Sequence, residues 1–286
     1  MPRALEVIAG FNTAPGATLA ALTMSTGLSS TIRGTDTNKG TWLLSSWCFN
    51  TTAGEFRITS PRLHDQAQGI RNRVTAAFTA PLVPGHTNAA FAQRLYAQDN
   101  LTLQLSGGGG AEIDTAALLI GYDDLAGIAG RYIDVATLRK AGVNIVTAEV
   151  TVTAVATGNF GGAVAINSSF DNLIANTDYA VLGGMTDTRG NVVGITAVDF
   201  GNLRVGFPAE PTLRDETQNW FMQLSTAFNA PYIPVFNSAN KTTTLVDVQT
   251  NNAGGTYIIN LALVQLAPGS VPAYSSPTSA GQQPGA

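Results

Sequence analysis

One stretch of this sequence is written twice. Pro61–Pro84 and Pro211–Pro234 align at a constant offset of 150 with no gap, and nine of the 24 positions are identical. In each copy large apolar residues fall four apart: Ile70, Val74 and Phe78 in the first, Trp220, Leu224 and Phe228 in the second. Residues four apart share one face of a helix. The pattern predicts a helix over 65–78 and another over 215–228, each packing through those three side chains. Both copies end in Ala-Pro-x-x-Pro, where proline stops a helix and sets the chain extended.

The likeness extends outward with small shifts. Trp42–Thr59 resembles Tyr179–Thr196, and Asn100-Leu101-Thr102 resembles Asn240-Lys241-Thr242. A Gly-rich turn follows in each copy, then a last apolar run, Ala116–Ile120 against Asn260–Val264. The chain reads as a tandem duplication. Two copies are too few for a solenoid, but 286 residues leave each copy long enough for its own core. The divisions expected are 1–136, 137–268 and a Pro/Gly/Ser-rich flexible tail over 269–286. A short helix at Asp134–Lys140, with Asp134 as N-cap and Gly142 past its end, marks the boundary.

The rest of each copy is short runs rich in Val, Ile, Thr and aromatics, punctuated by Gly, Asn and Asp. Expected strands are Thr41–Phe49, Glu55–Thr59, Leu101–Leu105, Ala116–Tyr122, Val143–Val155, Tyr179–Leu182, Val192–Val198, Thr243–Val248 and Tyr257–Leu266. Many short strands with Gly-rich turns indicate an all-β sandwich or barrel. The longest insertions read as Gly85–Leu95 and Ala197–Glu210.

Charge bears on function. Asp, Glu, Lys and Arg make up 12% of the chain, against about 25% in ordinary soluble proteins. So little charge excludes a disordered polyelectrolyte and argues against binding nucleic acid by phosphate neutralisation. A surface so poor in charge is weakly protected against association. Arginine outnumbers lysine 12 to 3, a bias that interfaces share. The nearest thing to a basic patch is Arg57, Arg62, Arg71, Arg73 and Arg94, with only Asp65 among them; it suits an interface or a lipid-facing surface.

Catalytic chemistry is thin. The two histidines, His64 and His86, lack metal-ligand spacing, and no nucleophile elbow supports a triad. The lone Cys48 allows no intrachain disulfide and reads as a buried small hydrophobe. Asp123 and Asp124, at a strand end, are weak candidates for calcium, and with Asp134 they are the acids a glycosidase on this scaffold would use. Gly107–Gly110 lacks the lysine and helix of a phosphate loop. No cofactor is expected. No apolar run has signal-peptide or membrane-span length, so synthesis in a cytoplasm is expected.

Tandem mostly-β units, each with a helix before its late strands, resemble the double jelly-roll major capsid proteins of tailless icosahedral, often membrane-containing, bacteriophages and related viruses. The resemblance covers about Val7 to Ala267 and rests on duplication, size and composition. It implies two tandem eight-stranded jelly rolls, each with an inserted short helix. It also implies a homotrimer forming a pseudo-hexameric capsomer of an icosahedral virion shell. The partners would be neighbouring capsomers, penton or minor capsid proteins and an internal lipid membrane, with no sequence-specific nucleic acid. The rival readings are a phage decoration, spike or fibre-head protein that binds a receptor or glycan, and a carbohydrate-active β-sandwich enzyme.

Overall fold

A computed structural model describes residues 4–271 other than 15, 35, 51, 64, 76, 83–91, 108–112, 124, 126, 127, 129, 154–156, 167–171, 252 and 253. Its first strands are β1 (Ala4–Asn12), β2 (Ala20–Ala21), β3 (Thr23–Met24), β4 (Thr41–Asn50), β5 (Gly54–Thr59), β6 (Ile70–Val74), β7 (Ala77–Leu82), β8 (Gln93–Leu95), β9 (Thr102–Ser106) and β10 (Asp114–Tyr122). Then come β11 (Tyr132–Ile133), α1 (Val135–Ala141), β12 (Gly142–Thr153), β13 (Phe160–Ala165), β14 (Asp178–Thr186), β15 (Val192–Thr196) and β16 (Arg204–Pro208). The chain closes with α2 (Arg214–Gln218), α3 (Trp220–Phe228), β17 (Ile233–Asn237), β18 (Leu245–Gln249) and β19 (Thr256–Leu266).

The strands sort into four antiparallel sheets. Sheet I runs β3-β1-β10-β4-β7, with β8 also on β4, and sheet II runs β2-β9-β5-β6. Sheet III runs β11-β17-β14-β19-β12 and sheet IV runs β13-β18-β15-β16. Count eight strand positions along each half, with β2 and β3 sharing the second, β7 and β8 sharing the sixth, and the pairings of the two-residue β3 and β11 set aside as extra edge pieces of sheets I and III. In both halves positions 1-8-3-6 form one sheet and 2-7-4-5 the other. Eight strands wound as Greek keys into two facing sheets make a jelly roll, and the order occurs twice. The all-β sandwich expected from the sequence is what folds.

Alternation along the strands explains how the sheets stack, since successive side chains point to opposite faces. On β1 and β10, Ala4, Ile8, Ala116, Leu118 and Ile120 face Phe56, Ile58, Leu103 and Leu105 of sheet II and form the first core. The opposite set, Leu5, Val7, Ala9, Ala117 and Leu119, belongs instead to the core that fills the second unit. β1, as far as Gly10, and β10 are therefore buried on both faces.

The helix expected at 65–78 is absent. Ile70–Val74 is strand β6, paired with β5 so that Arg73 faces Glu55 and Arg71 faces Arg57, and Phe78 lies in β7. Positions four apart share a face in a strand as well as in a helix, so Ile70 and Val74 both reach the first core with Asn72 between them. Gly69, at φ +56 and packed against the Ile58 carbonyl, turns the chain into this strand. The gapless 24-residue match therefore joins unlike places: β6 holds the position of β16, not of the helices. Equivalence does hold for Trp42–Thr59 and Tyr179–Thr196, which supply positions 3 and 4 of each unit. Ala197–Glu210 is no insertion either, since it contains β16.

The second helix does form, interrupted at Asn219, with Trp220 and Leu224 buried and Phe228 packed at the core's margin. Asn229, left-handed at φ 46, ends it. The boundary helix starts as expected, with Asp134 Oδ1 accepting from the Thr137 N–H at 2.7 Å. Tyr132–Ile133 just before it already pairs with β17 of sheet III.

Candidate functional site

The most elaborated part of the molecule is the seam between its two units. Helices α2 and α3 lie on β14. Gly183 allows the approach, since a Cβ there would stand 2.0 Å from the Thr217 carbonyl. From the far side sheet I presents Trp47, whose ring meets that of Trp220 edge-on at 5.6 Å and 85°. Tyr232 packs over Gly121 of β10, and the Tyr132 hydroxyl accepts from the Leu5 N–H at 3.2 Å. One helix pair thus packs on sheet III and reaches sheet I through Trp220, with Tyr232 just beyond it.

Beside the apolar seam runs a polar one. Trp47 Nε1 donates to the Asn191 carbonyl (2.8 Å), and Asn191 Nδ2 donates to Gln249 Oε1 (2.5 Å). Gln249 Nε2 donates to Ser25 Oγ (2.6 Å) and to the Gly158 carbonyl (2.9 Å). Ser25 Oγ donates to the same carbonyl at 2.6 Å. Asn191, Gln249 and Ser25 are all buried. Asn191 Oδ1 is left without a partner, but the other bonds of this buried chain all depend on one docking geometry. The seam is built to be rigid.

A third fixture clasps the linker. Arg131 gives a bidentate pair to Asp178 (2.8 and 2.6 Å) and approaches Asp199 Oδ1 at 3.5 Å. Asn237 Nδ2 donates to Asp178 and Asn240 Nδ2 to Asp199. Burial pushes the Asp178 carboxyl up, but the Arg131 and Asn237 hydrogen bonds outweigh it and hold it below the usual range.

The basic candidates do not form one patch. Arg57, Arg71 and Arg73 lie on or beside the outer face of sheet II, Arg62 is exposed in the loop before β6, and Arg94 sits on β8 of sheet I. Glu55 takes up two of them, with Arg71 at 2.7 Å and Arg57 at 3.0 Å. The Arg71 hydrogen bond, helped by Arg57, holds its carboxyl below the usual value. The stabilisation from a depressed carboxylate is complete above its unfolded pKa and is lost as pH falls through the folded one. Glu55→Gln should therefore lower the melting temperature at pH 7, with a deficit that shrinks as pH is lowered towards about 3, below the ordinary glutamate pKa. Melting curves at both pH values check it, and an equal deficit at both contradicts it.

The acidic candidates disperse. Asp134 is engaged as a helix cap, and the Thr137 N–H holds its pKa down, the wrong direction for a general acid. The Asp123 N–H donates to the Gly40 carbonyl at 2.9 Å. Asp124, His64 and His86 lie outside the described residues, as do Gly108–Gly110, most of Gly85–Leu95 and the tail from 272. Among the described residues no three His, Cys, Asp or Glu side chains converge as a metal site would require. Cys48 is buried, and burial pushes its thiol pKa far up. No helix among the described residues is long and apolar enough to cross a membrane. Sequence reasoning missed the seam residues Trp47, Asn191, Gln249 and Ser25, and no motif marks them.

No protein-family model matches the chain, and no curated protein matches it. Among solved structures it is similar to the crystal structure of the major capsid protein P2 from Bacteriophage PM2, at 6% identity over 92% of this chain and 97% of that one. The TM-score is 0.24, too low for the likeness to bear on fold or function.

Proposed function

We propose that this chain is a structural virion protein. In this reading it is a major capsid subunit that trimerises into pseudo-hexameric capsomers and assembles an icosahedral shell, with no catalysis. It is made in a host cytoplasm and acts in the virion. Its partners are copies of itself, penton or minor capsid proteins and, in a particle with an internal membrane, the lipid beneath the shell.

The observation that supports this reading best is one strand order repeated in two units and joined by a buried seam. Two similar blocks held at a fixed angle let three chains present six similar flanks. An enzyme has no need of such a seam, and its acids would have to converge on a cleft, whereas Asp134 is spent on a helix cap. Low surface charge suits flanks that meet protein on all sides, because small polar residues pack there without the desolvation cost of charges.

The test is the mass and copy number of the assembled species. The purified chain of 29.7 kDa should sediment at three times that mass, and particles from its source should carry hundreds of copies. A chain that stays at 29.7 kDa at every concentration and occurs in no particle overturns the reading. Purified particles carrying only a few copies point to a spike or decoration protein instead.

A further inference from the structure

Sheet edges left unpaired are templates for another chain, and proteins usually blunt them with short strands, charges, proline, bulges or a covering element. Nearly every edge here is treated that way. β2, β3 and β11 have two residues each, and β6 carries Arg71 and Arg73. β13 has a register shift after Gly161, and β16 ends in proline and lies against β1. β7 contains Pro81. β12 is blunted only at its start, by a register shift between Gly142 and Asn144; from Asn144 to Thr153 its pairing with β19 is regular and its other side is open among the described residues. It is the edge of sheet III, twelve residues long, with no Lys, Arg or Pro and one charge, Glu149. Its outward side chains include Val143 at 56% exposure and Ile145 at 83%.

The first unit shows what this position is for. β1 holds in sheet I the place that β12 holds in sheet III, except that the two-residue β3 pairs with the end of β1 at Gly10 and Phe11. The outward side chains of β1 (Leu5, Val7, Ala9) are buried because the second unit covers them. Val7 there packs on β16, its Cγ2 3.1 Å from where a Gly206 Cβ would stand. The strand in the first unit that holds the place of β16 is β6. Inside one chain, then, position 1 of unit one sits on position 5 of unit two. The same contact made between chains would seat β12 of one copy on β6 of the next. Charge agrees: Arg71 on β6 is held by Glu55, which leaves Arg73 as the cation to face Glu149 of β12. Repeated head to tail, this contact alternates unit one and unit two around a ring.

We infer that β12 is an intersubunit strand and that its occupant is the β6 face of a second copy of this chain. This rests on the shell-subunit reading and names the flank it uses. The experiment is sedimentation of the full chain and its Ile145→Lys variant, with Ile174→Lys as a control at an exposed isoleucine outside β12. Ile145→Lys should keep the wild-type melting temperature of the isolated chain and sediment at 29.7 kDa, while Ile174→Lys stays trimeric. A short thiol cross-linker should join copies of an Ile145→Cys, Arg73→Cys double variant, the native Cys48 being buried. A trimer that survives Ile145→Lys, or dissociates equally with Ile174→Lys, overturns the β12 contact and leaves the shell reading standing. Trimers of the double variant that yield no cross-link do the same. A wild-type chain that never leaves 29.7 kDa removes the shell reading, and the contact with it.

Discussion

Trp220→Ala should lose about 3–5 kcal/mol of unfolding free energy, the usual cost of deleting a fully buried tryptophan. Trp220 is 1% exposed and bridges two sheets. Its truncation leaves a cavity that neither can fill, because sheet I is held by its own pairing and β14 by Gly183 against α2. The effect should also appear in cooperativity. The core cluster containing Trp220 runs without a break from Leu5 and Trp47 to Val248 and Leu261, so the wild-type chain should unfold in one transition although it has two jelly rolls. With Trp220 gone, urea or calorimetric unfolding should broaden or split as the first unit outlasts the second. Trp47→Ala combined with Trp220→Ala should cost less than the sum of the two by about 0.5–1.5 kcal/mol, the typical worth of an aromatic pair beyond its buried area. A loss below about 1 kcal/mol with an unchanged single transition would mean that the helices are packed on sheet III alone.

The same seam explains which parts of the fold could be read from the residues. Strands with one wet face show alternation: Leu101-Thr102-Leu103-Gln104-Leu105 reads as a strand, and residues 102–105 form most of β9. β1 is a complete strand that alternation does not reveal. Ala4–Gly10 is buried at every position, and a strand dry on both faces has no polar side to mark its period. A short strand carrying Gly and Pro, Arg204–Pro208, reads as part of an insertion for want of β-branched length. The missing first helix has a different cause. A spacing of four satisfies a helix and a strand alike, and the deciding contacts, Glu55 with Arg71 and Ile58 with Ile70, are long-range pairings. The seam residues were illegible for the same reason, since Gln249 reaches Ser25 across 224 residues. Duplication itself was legible, but its best-looking stretch aligned the wrong elements.

Arg131→Ala is the second large effect. The guanidinium is 9% exposed and serves Asp178 and Asp199, whose side chains are 15% and 4% exposed. Removing one partner of a buried ion pair costs about 3–5 kcal/mol, because the remaining charge stays dry and unpaired. Here two carboxylates lose their cation at once, with only the amides of Asn237 and Asn240 and the Asn237 N–H left to them. The variant should therefore sit at the upper end of that range at pH 7. Its deficit should also depend on pH in a definite direction. In the wild type Asp178 is held below its usual pKa, so its contribution is complete above the unfolded value, about 3.9, and fades as pH falls through the folded one. In the variant only the Asn237 hydrogen bond still opposes burial at Asp178, so its folded pKa rises. The variant then recovers stability as pH falls from 7 towards 4 and the Asp178 carboxyl takes up a proton. The two denaturation curves should converge as pH drops, and a gap that is constant from pH 7 to 4 would show that Arg131 acts by packing rather than by charge. Arg131→Lys should recover only part of the loss, since an ammonium cannot reproduce the two parallel bonds to Asp178.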